Sequence, residues 1–239
     1  MYKEDLAYIH NQGFGHLADN AVSVILNAFK ESQKTQGLLI DLGCGSGITA
    51  AKLLATGYDV IGVDLSADLI AIARQRVPQG KFYLESFFNF PLPFCEAVIA
   101  IGECFNYLFD QQNTPENRLK LFQKIHDCLS VDGFFLLDIA EPGRVPNEFF
   151  RTYTETNNWV VLMTAREDQN KKQLSRKITT FRKIGELYRR EQEVHHLCLL
   201  ERRELLEQLR TIGFQVEILE GYGSLTFSPG HIGLLARKL

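Results

Sequence analysis

The sequence predicts a doubly wound α/β fold, a mostly parallel sheet with a C-terminal reversed hairpin and an antiparallel β insertion. Three observations carry that prediction. Between about residues 37 and 140, five short, continuously apolar runs alternate with stretches of helical spacing, the pattern of parallel strands covered on both faces. After Arg151 the alternation stops and strand-like segments follow one another directly. The chain then closes with one amphipathic helical stretch and two further apolar runs.

Taken in order, the first run is "GLLIDLG" (37–43), and the helix after it, Ile48 to Ala55, stops at Gly57, a residue suited to a helix end. "DVIGVDLS" (59–66) is the second strand, and Ser66 supplies a side-chain oxygen to cap the helix "ADLIAIARQR". "KFYLE" (81–85) and "EAVIAIG" (96–102) are the third and fourth strands. In "TPENRLKLFQKIHDCL", Thr114 caps a helix with Pro115 at its first position, and Leu121, Ile125 and Leu129 share one face. "GFFLLDIA" (133–140) is the fifth strand. Beyond it, "WVVLMTARED", "LSRKITTFRKIGELYRRE" and "EVHHLCLL" read as antiparallel strands with a turn around Lys183–Gly185. The helix "ERRELLEQLRTIG" ends at Gly213, and "FQVEILEG" and "HIGLLARK" complete the fold. The organisation expected is an N-terminal helical cover (1–36), a cofactor-binding domain (37–150 and 199–239) and an inserted β-rich lid (151–198).

Composition narrows the function. The 239 residues are 45% hydrophobic and 23% charged, the balance of an ordinary globular chain that can bury its own core. Five widely spaced cysteines, none in a CxxC pair, indicate neither a disulfide framework nor a zinc ribbon, and a cytoplasmic setting is expected. No metal-ligand spacing is present among His, Cys and acids. A polar N-terminus and the lack of any membrane-length apolar run predict no membrane partner. A net charge of -3 argues against a nucleic-acid coat. The expected partner is a small-molecule substrate, the expected state a monomer or homodimer.

The chemistry concentrates at "LLIDLGCGSGITA" (38–50). Gly43, Gly45 and Gly47 leave backbone bare for a ligand, just ahead of a helix N-terminus. Two ligands fit such a turn. One is a dinucleotide: "GSGITA" matches G-x-G-x-x-A, and Asp64 follows about twenty residues later. A pyrophosphate is anionic, however, and Asp41 at the strand end opposes it. The other is a cationic cofactor, which that acid attracts.

Asp41-Leu42-Gly43-Cys44-Gly45-Ser46-Gly47 resembles the (D/E)xGxGxG motif of class I S-adenosylmethionine-dependent methyltransferases, with a Rossmann-like fold. The resemblance covers about residues 37–142 and the C-terminal hairpin. It implies S-adenosylmethionine as cofactor, wrapped at its methionine half by Asp41, Gly43, Cys44 and Gly45. It further implies that Asp64 ties both ribose hydroxyls, with two acceptor oxygens suited to a diol, and that Leu65 packs on the adenine. Where the family often has Gly-Asp after the third strand, this chain has Glu85-Ser86, so the adenine contact falls to Ser86 and the Phe87 backbone. The layout of the N-terminal segment and the insertion is similar to small-molecule methyltransferases.

The loop "IGECFNYLF" (101–109) follows the fourth strand and faces the methyl end in that fold. Gly102 admits close backbone approach; Glu103, Asn106 and Tyr107 are its polar groups, with packing roles the competing reading. "FNYL" lacks the Asn/Asp-Pro-Pro-aromatic motif of nucleic-acid base methylators. His195 and His196 are strand neighbours, so one faces each side; Glu103, Tyr107 and His196 are the catalytic candidates. His10 and His16 lie in the covering segment. Residues 171–190 carry eight basic side chains against Glu186 alone, a solvated face or an attractor of anionic substrate. An NAD(P)-dependent oxidoreductase and a non-catalytic S-adenosylmethionine-binding protein are the alternatives.

Overall fold

The computed structural model describes residues 1–145, 147 and 149–239. In chain order its elements are α1 (Glu4–Gly13), α2 (His16–Glu31), β1 (Leu38–Leu42), α3 (Ile48–Ala55), β2 (Asp59–Asp64), α4 (Ala67–Arg76), β3 (Lys81–Leu84), β4 (Cys95–Ala100), α5 (Pro115–Cys128) and β5 (Leu129–Ala140). There follow β6 (Phe150–Glu155), β7 (Trp159–Asp168), β8 (Gln173–Ile184), β9 (Leu187–Cys198), α6 (Arg202–Ile212), β10 (Phe214–Leu219), β11 (Gly221–Tyr222), β12 (Leu225–Thr226) and β13 (His231–Lys238).

The central sheet has seven strands in the order β10-β13-β5-β4-β1-β2-β3. β1 to β5 run parallel, while β13 enters antiparallel between β5 and β10. One face buries Ala21, Ile25 and Phe29 of α2 with Leu53 of α3 and Ile70 of α4. The other buries Leu121, Phe122 and Ile125 of α5 with Leu205 and Leu209 of α6. The strand order reverses direction at β1, between β4 and β2, which is where sheets of this kind open a crevice at their carboxyl ends. Caps set the helices around it. The Ser66 hydroxyl accepts from Leu69 N at 3.3 Å, and the Thr114 hydroxyl from Asn117 N at 3.2 Å.

A second sheet, β6-β7-β8-β9, is antiparallel throughout. Here the sequence reading differs in two details. "EVHHLCLL" is no separate strand but the end of one continuous β9, and β6 lies outside the segments read as strands. The inner face of this sheet presents Trp159, Val161 and Ile178 to Leu6 and Ile9 of α1. α1 and the inserted sheet therefore pack on each other, while α2 belongs to the cover of the central sheet.

The basic stretch supplies fasteners for that packing. Arg182 and Arg189 converge on the fully buried carboxylate of Asp5, with Arg189 Nε donating at 2.7 Å and Arg182 Nη1 at 3.1 Å. Arg176 turns inward to Glu103 at 2.6 Å. Arg176, Arg182 and Arg189 thus pair with acids on other elements, as Lys172 does with Glu201 at 3.0 Å.

Candidate active site

Residues 43–47 leave β1 as a turn in which Gly43, Gly45 and Gly47 all adopt left-handed φ angles of 81, 53 and 72°. A side chain there is strained whatever the space. At Gly45 the space itself is telling: a Cβ would meet nothing within 4 Å, and the same holds at Gly102 (φ 98°). Both glycines face open volume. That volume is a cavity, about 1110 Å³ including its mouth, lined by the glycine turn, Asp41, Asp64, Leu65, Phe87 and Phe88, and by Tyr2, His10 and Phe14 from the N-terminal segment.

Two acids meet at the turn. Asp64 accepts from Gly45 N at 2.9 Å and from Ser66 N at 2.7 Å, one bond on each oxygen. Each oxygen keeps a further lone pair for a diol. Burial raises its pKa against the pull of those backbone donors. Among the described residues no group donates to the Asp41 carboxylate, and burial together with Asp64 pushes it up to about 8. Two acids this close in a largely apolar cavity disfavour a pyrophosphate, whereas a cation beside Asp41 favours its ionised form. The cavity therefore fits a ligand with a diol at Asp64 and cationic groups at Asp41, and the residues fit S-adenosylmethionine.

The N-terminal segment is tied down at this same turn. Ser66 donates its hydroxyl to the Tyr2 carbonyl at 2.8 Å, and Arg76 donates to Asn11 at 2.6 Å. His10 faces the cavity with Nδ1 buried and unpartnered; burial, then His16, lowers its pKa to about 4, so the ring is neutral.

The loop after β4 is built less for proton transfer than its residues suggest. Glu103 sits at φ 60° with its carboxylate between Arg176 (2.6 Å) and Arg144 (3.0 Å). Burial alone would raise its pKa, yet the two guanidiniums hold it at about 2. An acid so fixed and so weakly basic is poorly suited to take up a proton, and its place between two guanidiniums fits a structural tie. Asn106 is likewise spent: its amide donates to Ala140 O and Cys198 O and accepts from Ala140 N, joining β5 to β9. Tyr107 does line the cavity, its hydroxyl 3.2 Å from that of Tyr2 and 3.4 Å from Arg176.

His196 points away. On β9 the inward positions are Glu193, His195 and Leu197, all buried, whereas His196 is exposed and bonds Ser175 across the outer face at 3.0 Å. The buried ring is His195, held by Glu193 at 2.9 Å and packed on Phe109, Tyr2 and Tyr107. Of the expected cofactor residues, Asp41, Gly43, Cys44, Gly45, Asp64, Leu65, Phe87 and Gly102 line the one cavity. Ser86 does not; it is buried behind the wall and donates its hydroxyl to Asp110, which does line it.

Two supports, one buried and one half-buried, escape a sequence reading. Asp138, at the end of β5, accepts from Gly102 N (2.9 Å), Glu103 N (2.7 Å), Tyr222 Oη (3.1 Å) and His231 Nε2 (2.9 Å), and so fixes the strained loop. Its only signal was an acid inside the apolar run "GFFLLDIA". Tyr2, at the other edge, carries no motif at all.

Comparison with known proteins agrees with this geometry. A family model described as a methyltransferase domain matches residues 39–133. YqeM of Bacillus subtilis, named provisionally as a methyltransferase, is 24% identical over 220 residues, covering 86% of each chain. Among solved structures, DesVI of Streptomyces venezuelae superposes with a TM-score of 0.81 at 20% identity, covering all of both chains. An S-adenosylmethionine-dependent methyltransferase of Clostridium acetobutylicum gives 0.81 at 16% identity, covering 97% of each. The sugar N-methyltransferase KedS8 of Streptoalloteichus gives 0.77 at 18%, covering 100% of this chain and 94% of the other.

Proposed function

Because the chain belongs to the class I S-adenosylmethionine-dependent methyltransferases, we propose that its acceptor is a small molecule held under a roof that the N-terminal segment through α1 and the inserted sheet build over the cofactor domain. The observation that carries this reading is the cavity itself: Tyr2, His10 and Phe14 close it from above, while Tyr107 and Phe109 wall the end at Gly102 and Cys104. A recess of this kind, walled on several sides by apolar and aromatic side chains, supports a small ligand as the acceptor. Arg176, Arg182 and Arg189 of the basic stretch are engaged by acids of the chain itself, which supports a reading without nucleic acid. No helix among the described residues is long and apolar enough to cross a membrane. Five free cysteines suit a reducing, cytoplasmic compartment. KedS8, named for sugar N-methylation, and the amino pentose methyltransferase CalS10 share the fold and act on small molecules.

The cofactor supplies an activated methyl on a sulfonium, so the chain's own residues have mainly to bind, align and keep out water. Gly45 and Gly102 let backbone approach, Asp64 takes the diol, and Asp41 answers the positive charge. Arg144 and Arg176 lock Glu103 and with it the loop that carries Tyr107. Tyr107 and Tyr2, their hydroxyls paired, are the groups that orient an acceptor. With Glu103 withheld from base duty, the reading favours an acceptor whose nucleophile is already unprotonated, such as a neutral amine.

Tyr107→Phe and Tyr2→Phe test this assignment. Binding of S-adenosylhomocysteine should stay within about threefold of wild type, while transfer falls by at least about tenfold, or roughly 1.4 kcal/mol. Unchanged transfer in both variants would place the acceptor elsewhere.

A further inference from the structure

We infer that Asp110 is the group that reads the six-position amine of the cofactor's adenine, with Ser86 as the residue that positions it. The inference rests on the cofactor occupying the cavity described above. Strand order sets the line of the site: Gly102 ends β4, Asp41 lies on β1, Asp64 ends β2, and Ser86 to Phe88 follow β3. A ribose diol held at Asp64 therefore sends its base toward Leu65, Phe87 and Phe88, apolar surfaces fit to sandwich a purine. Such a slot needs one acceptor for an exocyclic amine.

Of the loop directly after β3, Phe87 and Phe88 line the cavity, and neither Glu85 nor Ser86 does. Ser86 is buried with its hydroxyl already committed, donating to the Asp110 carboxylate while accepting from Phe88 N at 3.2 Å. Asp110 arrives from the loop between β4 and α5, twenty-four residues on, and lines the cavity. Its Oδ1 accepts from Gln112 N at 2.9 Å and its Oδ2 from Ser86, so each oxygen is fixed in place and keeps a lone pair. A carboxylate held this way accepts an amine N–H and repels a carbonyl oxygen at the same position.

Calorimetry with S-adenosylhomocysteine and with its 6-oxo counterpart, S-inosylhomocysteine, tests the assignment. Wild type should prefer the amine-bearing ligand by at least about tenfold. Asp110→Asn should lose at least about fivefold toward S-adenosylhomocysteine and bring the preference to within about twofold, since an amide can donate to the oxo group. Ser86→Ala should erode the same preference partially. An unaltered preference in Asp110→Asn would overturn the inference and leave Asp110 as a turn residue that bonds its own loop. Equal binding of both ligands by wild type would overturn it without any variant, even where Asp110→Asn does not fold. Failure of wild type to bind S-adenosylhomocysteine at all, or binding insensitive to Gly45→Val, would instead strike the placement of the cofactor.

Discussion

Arg176 Nη2 stands 2.6 Å from Glu103 Oε2, and this ion pair joins the inserted sheet to the strained loop at one end of the cavity. Glu103 is buried and Arg176 half-buried, so the pair's removal is costly in a way an exposed pair's is not. Arg176→Met leaves Glu103 to Arg144 alone. It should destabilise the protein by on the order of 3 kcal/mol and lower transfer at least tenfold, with cofactor affinity little changed. Adding Glu103→Gln should restore much of the stability, because the orphaned charge goes with it. Glu103 has a folded pKa depressed to about 2, so its contribution is complete above about pH 4.5 and disappears as pH falls toward 2. Denaturant unfolding of the two single variants and the double variant measures the coupling; a value near zero would show the pair to be incidental.

Asp41 has the opposite sign. Its folded pKa is raised to about 8, so the folded chain without ligand holds a proton that the unfolded chain has lost above about pH 4. Stability without cofactor should therefore fall as pH rises from about 4 to about 8. Asp41→Asn should remove that slope, stabilise the free protein at pH 8 by at least about 1 kcal/mol, and weaken S-adenosylmethionine binding by at least tenfold. Thermal melts at pH 5 and pH 8, with and without cofactor, measure both effects. A variant whose slope matches wild type would show that Asp41 is ionised in the free protein.

Gly45→Val should abolish binding of S-adenosylhomocysteine, since its side chain would enter open volume that no protein atom fills. The left-handed φ of 53° adds strain of about 1–3 kcal/mol, so circular dichroism must accompany the titration. Asp64→Ala should cost about 1.5–3 kcal/mol in affinity through two lost charge-assisted hydrogen bonds. Affinity unchanged in both would mean that the cofactor lies elsewhere.

The two neighbouring histidines should separate cleanly. His196→Ala, on the exposed face, should leave stability within about 0.5 kcal/mol and activity intact. His195→Ala empties a buried site behind Tyr2 and Tyr107 and should cost about 2 kcal/mol or more, with transfer reduced. Equal effects would contradict the facing of β9.

What was legible in the sequence follows from how locally each feature is encoded. β1, β2 and β4 announce themselves as apolar runs because both of their faces are covered, and the Ser66 and Thr114 caps need only residues three apart. β6 gives no such signal: every residue of it is exposed, so nothing imposes a burial pattern. Alternation on β9 says that one of His195 and His196 faces inward, and only the register against β8 says which. The pairing of Arg176 with Glu103, of Arg189 with Asp5 and of Ser86 with Asp110 joins residues far apart in the chain. Charge composition alone therefore does not separate the exposed Lys171, Lys177, Lys183 and Arg190 from the arginines that fasten the sheet to other elements.

The most direct test of the account is to ask where the methyl group goes. Purified protein would be incubated with methyl-labelled S-adenosylmethionine and a whole-cell extract, then fractionated by size with nucleic acid, protein and small molecules counted apart. The account predicts label in the small-molecule fraction, dependent on Asp64 and lost in Tyr107→Phe. Label in protein or nucleic acid, with none in the small-molecule fraction, would contradict the roofed cavity as the acceptor site.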